Sequence, residues 1–149
     1  MSDHRLQVDL DPGRSGSDLY DAGGTISGAI QLFSAESLDC RELTVTIGWQ
    51  TEARPHFLKW TPATGFHSHR NLSLHRGVLN QGSQAFAFRC ELPQDPKSYN
   101  GELFDIVWQV QARLVWGANN EQTAAATFHL MIPKYACHLE ELKGRLLPR

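Results

Sequence analysis

From Leu103 to Trp116 the chain alternates with a period of two. Phe104, Ile106, Trp108, Val110, Ala112, Leu114 and Trp116 fall on one side, and Asp105, Gln109, Gln111 and Arg113 on the other, with Val107 and Val115 as exceptions. Successive side chains of an extended chain point to opposite faces, so this run is a long strand with one face buried. A helix of the same residues would scatter the apolar side chains around its axis.

The pattern recurs. Phe86, Phe88, Cys90 and Leu92 face one way while Arg89 and Glu91 face the other. Leu43, Val45, Ile47 and Trp49 alternate with Thr44, Thr46 and Gln50, and Ile26, Gly28, Ile30 and Leu32 form another set. Leu6, Val8 and Leu10 make a short first strand, Ala124 to Ile132 a last one, and shorter runs lie near Phe57–Trp60 and Leu72–Val78. Between them stand turn signals: Asp11-Pro12-Gly13, Ala22-Gly23-Gly24, Asn80-Gln81-Gly82, Pro93–Pro96, Asn100-Gly101 and Gly117–Asn120. About eight strands in series, with no helical period between them, predict an all-β antiparallel sandwich of immunoglobulin-like type. One polar face per strand favours two packed sheets.

Only the end departs from this pattern. After Pro133, Leu139, Leu142 and Leu146 have helix-compatible spacing. The division expected is therefore a sandwich over residues 1–132 and a tail over 133–149 holding a short amphipathic helix. A chain of 149 residues is one domain's worth, and its formal net charge of −2 is not that of a dedicated nucleic-acid binder. No stretch approaches the ~18 apolar residues of a spanning helix, and Met1-Ser2-Asp3-His4-Arg5 opens no signal peptide. An odd set of three cysteines, Cys40, Cys90 and Cys137, fits a reducing cytoplasm. Cys40 and Cys90 sit in apolar runs and are read as buried thiols.

Few residues suggest chemistry. His67-Ser68-His69 places two imidazoles on one face of a strand, and His75 would join them across a hairpin. With no acid between Glu52 and Glu91, a catalytic metal would lack its general base, so these histidines are read as an exposed polar hairpin with neither metal nor cofactor. The Asp-rich run Asp9, Asp11, Asp18, Asp21 fails the calcium-loop spacing, with Arg14 where the loop glycine belongs. No nucleophile-elbow, phosphate-loop, dinucleotide or zinc-protease motif occurs. Of the four tryptophans, Trp49, Trp108 and Trp116 are in phase with core faces, leaving Trp60 as the exposed aromatic.

Two blocks carry a resemblance. Leu19-Tyr20-Asp21-Ala22-Gly23-Gly24-Thr25-Ile26-Ser27-Gly28 leads through a strand to Leu38-Asp39-Cys40-Arg41-Glu42-Leu43-Thr44-Val45. Phe86-Ala87-Phe88-Arg89-Cys90-Glu91-Leu92-Pro93 is followed by Pro96-Lys97-Ser98-Tyr99-Asn100-Gly101 and then by Ile106-Val107-Trp108-Gln109-Val110-Gln111-Ala112-Arg113-Leu114. In order and spacing these resemble the N-terminal domain of arrestin-type proteins over roughly residues 6–132. Gly24 stands where that family usually has an acid, and His4-Arg5 lacks the family's phosphate-reading basic cluster. The resemblance is closest to divergent single-domain arrestin-like proteins, and it implies an arrestin-type sandwich.

It also implies a non-enzymatic interaction or adaptor module. Arrestin-type N domains accept an extended peptide beside their first strand, so the expected docking edge is Leu6, Gln7, Val8, Asp9 and Leu10, which would bind a protein partner or a second copy. The alternative is a carbohydrate- or small-ligand-binding sandwich using Trp60, His67, His69 and His75.

Overall fold

The computed structural model describes residues 4–13, 16–53, 66–100 and 104–132. Alternation there becomes nine strands: β1 (His4–Leu10), β2 (Leu19–Asp21), β3 (Thr25–Ser34), β4 (Leu38–Ala53), β5 (His67–Leu79), β6 (Gly82–Glu91), β7 (Tyr99–Asn100), β8 (Phe104–Trp116) and β9 (Asn120–Met131). They form a three-stranded sheet in the order β1-β3-β6 and a larger one in the order β2-β9-β8-β4-β5, with β7 beside β8. Every pairing is antiparallel except β2 with β9. The fold is the expected all-β sandwich. The run at Phe57–Trp60 and the tail over 133–149 lie outside the described residues.

The long strand is as its period predicts. Trp108, Val110, Ala112 and Leu114 are completely buried, as are Val45 and Ile47 on β4, and they face Ile26 and Ile30 of the smaller sheet. Trp108 keeps its one polar atom satisfied by donating from Nε1 to the carbonyl of Pro96 at 2.6 Å. Trp49 and Trp116, nearer the ends of their strands, are half-buried against the same core. Tyr20 meets Phe128 edge to face at 5.5 Å, and its hydroxyl donates to the carbonyl of Asp11.

Two glycines are required where they stand. Gly23 holds φ at +77°, a left-handed conformation that lets the chain turn between β2 and β3. Gly28 lies where β3 meets the end of β1: a Cβ there would strike the carbonyl of Asp9 and come within 3.1 Å of Leu10 Cα. Its bare backbone lets β1 seat against β3 over the whole register from His4–Ser34 to Leu10–Gly28.

Candidate functional site

β1 forms one border of the smaller sheet, and its only ladder among the described residues is with β3. In an antiparallel pair, alternate residues direct both backbone groups at the partner, and those between them direct both outward. The phase is set by the Asp11 N–H, which donates to the carbonyl of Ser27 at 2.9 Å and continues the β1–β3 register. Asp9, Gln7 and Arg5 therefore bond to β3. Leu6, Val8 and Leu10 turn their N–H and C=O groups to the open border. On β3 the phase closes consistently, because the Leu92 N–H donates to the carbonyl of Gly24 at 2.8 Å, so that Ile26, Gly28 and Ile30 serve β6.

The expected docking residues thus divide by role. Leu6, Val8 and Leu10 present the main-chain groups while their side chains pack, half-buried, on the core. Gln7 is exposed on the outer face and donates from Nε2 to the Asp9 carboxylate at 2.6 Å. At the start of the strand, the carbonyl of His4 already accepts from Gln122 Nε2 on β9 at 3.2 Å. This bond ties the seam between the sheets and marks where the open stretch begins.

The β6 and β5 borders are less available. β6 turns Glu91, Arg89, Ala87 and Ala85 outward by the same phase, but His69 Nε2 donates to the Glu91 carbonyl at 3.0 Å and covers that end. β5 borders the larger sheet with three register breaks against β4, a left-handed Gly77 at φ +115°, and the exposed Arg70 and Arg76. Bulges and charges of this kind blunt an edge against further pairing.

The histidines are placed differently from the expectation. His67, His69 and His75 all lie on the single strand β5, not across a hairpin. β5 is exposed on both faces near His67–Arg70, so its residues there carry no apolar alternation that would read as a strand. His67 stacks on Trp49 at 4.2 Å, His69 lies edge-on to Trp108 at 6.3 Å, and His75 is against Phe86 at 5.4 Å. Each imidazole is thus engaged with a different aromatic ring. Among the described residues no three His, Cys, Asp or Glu side chains are grouped to hold a metal ion. Trp60 lies outside the described residues.

Cys40 and Cys90 are buried free thiols. Burial pushes both above the ordinary thiol range, and the Arg70 guanidinium draws Cys90 part of the way back. Two grooves of comparable size lie on the larger sheet. One, about 520 Å³, is lined by polar residues including Thr44, Thr46, Asn71, Gln111, Arg113 and Glu121. The other, about 510 Å³, is more apolar, with Leu19, Tyr99, Val107, Phe128 and Met131 among its walls. Sequence reasoning found neither groove, nor the role of Gln122, because each depends on which strands become neighbours. No helix among the described residues is long and apolar enough to cross a membrane.

No family model and no curated protein matches the chain. The solved structure of Spo0M, a sporulation control protein from Bacillus subtilis, is similar in fold: its TM-score is 0.68 at 13% identity, covering 96% of this chain and 55% of that one. The chain therefore spans about half the length of that protein. The fold of Spo0M is arrestin-like, and the two-sheet sandwich described above agrees with it.

Proposed function

We propose that this chain is a non-enzymatic protein-interaction or adaptor module of the arrestin N-domain type. It binds an extended segment of a protein partner by strand addition along β1. The observation that carries the reading is the phase of the β1–β3 ladder, which leaves the main-chain groups of Leu6, Val8 and Leu10 facing outward. An added strand draws its affinity from such groups, each bond contributing about 0.5–1.5 kcal/mol net. The likeness of fold to Spo0M, which is named a sporulation control protein, supports a regulatory setting rather than a particular partner. Free buried thiols at Cys40 and Cys90 support a reducing, cytoplasmic location.

The same phase defines the test. A proline at position 8 removes an outward donor and spares the β1–β3 ladder, whereas a proline at position 7 removes a ladder bond. Affinity capture with wild type, Val8→Pro and Gln7→Pro is expected to give partners that Val8→Pro loses while keeping the wild-type melting temperature. Gln7→Pro lowers that temperature. Partners held equally by Val8→Pro would refute β1 as the docking edge.

A further inference from the structure

Resting on the reading of β1 as the docking edge, we propose that the edge also accepts a second copy of this chain, in one defined register. The two β1 strands run antiparallel about a two-fold axis at Gln7. Leu6 then lies opposite Val8 of the second copy, and Arg5 opposite Asp9 of the second copy.

The register follows from the outward groups and the charges together. Only residues that face the border can bond across it, so His4, Leu6, Val8 and Leu10 must pair among themselves. Shifting one copy by a single residue puts outward groups opposite inward ones and leaves no ladder. Among the allowed registers, the one centred on Gln7 lets the two Leu6–Val8 pairs exchange their bonds and sets Leu10 opposite His4, whose carbonyl is held by Gln122. Arg5 and Asp9 both occupy alternate, ladder-facing positions of β1, so across the axis they form pairs without main-chain bonds, where side chains approach most closely. The sequence Arg5-Leu6-Gln7-Val8-Asp9 is therefore complementary to its own reverse: base meets acid at both ends and amide meets amide in the middle.

The next allowed register would set Arg5 against Asp11. That residue lies beyond the strand, which ends at Leu10. Closure about a two-fold joins two three-stranded sheets into one and covers both β1 edges, so the assembly stops at two copies. A partner segment and a second copy would compete for the same edge.

The test exchanges the charges. Sedimentation would follow the wild type, Arg5→Asp and Asp9→Arg singly, and an equimolar mixture of the two variants. Arg5→Asp sets acid against acid across the axis and Asp9→Arg sets base against base, so each alone should dimerise about tenfold more weakly than wild type. Mixed, they restore an acid–base pair at both ends, and dimers should return as a species containing one of each. Melting curves confirm that both variants are folded. A wild type that stays monomeric up to about 1 mM, where even a millimolar Kd populates dimers, would overturn the inference. So would single variants that dimerise as the wild type does, or a mixture that does not recover. None of these results touches the docking edge itself, which stands or falls with the partner lost by Val8→Pro.

Discussion

Gln122 of β9 donates its side-chain amide to the main-chain carbonyl of His4 on β1, joining the two sheets at their seam. The bond uses a carbonyl that the β1–β3 ladder directs outward. At the same place the His4 ring lies 3.1 Å from Ser34 Oγ through Nδ1 and meets Trp116 edge-on at 5.3 Å. The beginning of β1 is therefore fastened to both sheets, and among the described residues the strand becomes an open edge only after it. Replacing Gln122 by Leu keeps the bulk and removes the donor. The expected loss is about 0.5–1.5 kcal/mol in urea unfolding. An unchanged midpoint would mean the bond adds nothing to the seam.

Gly28→Ala tests how closely β1 is seated. The added Cβ would meet the backbone of Asp9 and Leu10, and Phe88 Cζ at 3.1 Å, so β1 itself would have to move away from β3. Overpacking of this kind costs about 1–3 kcal/mol. The variant should unfold earlier by that amount and also lose partner binding, because the edge is displaced. Ala29→Ser, on the outer side of the same strand, should do neither.

The thiols give the chain an alkaline limit. Cys40 and Cys90 have folded-state pKa values raised by burial, and Tyr20 is raised too, by burial and then by Asp11 and Asp18. Below the ordinary thiol value of about 8.5, folded and unfolded chains both keep the protons and stability is unaffected by these groups. Above it the unfolded chain releases protons that the folded chain retains, so stability falls as pH rises through the folded values. Urea midpoints should hold from neutral pH to about pH 8 and decline beyond. A midpoint that rises across that window would contradict the assignment. In a Cys137→Ser background, a thiol reagent at neutral pH should leave Cys40 and Cys90 unmodified until the chain is unfolded.

How much was legible beforehand follows from what each feature depends on. The alternation of residues 104–116 defined the strand and the face that buries Trp108, Val110, Ala112 and Leu114, because period and burial are local properties of one strand. β2 and β7, three and two residues long, are too short to display a period. The sequence around His67, His69 and His75 suggests a hairpin because an edge strand exposed on both faces loses the alternation that marks a strand. Leu6 to Leu10 could be singled out from the resemblance, but not the division of labour within them. Which backbone groups face outward depends on the ladder with β3, and that information lies in the pairing.

Amide hydrogen exchange along β1 tests the central claim most directly, read residue by residue in dilute protein and again with the captured partner segment bound. In the free chain Gln7 and Asp9, bonded to β3, should exchange slowly, while Leu6, Val8 and Leu10 exchange fast. With the segment bound, those three should become slow while the first two change little. Uniform protection of Leu6, Val8 and Leu10 in the dilute free chain, or no gain of protection in the complex, would contradict strand addition at β1.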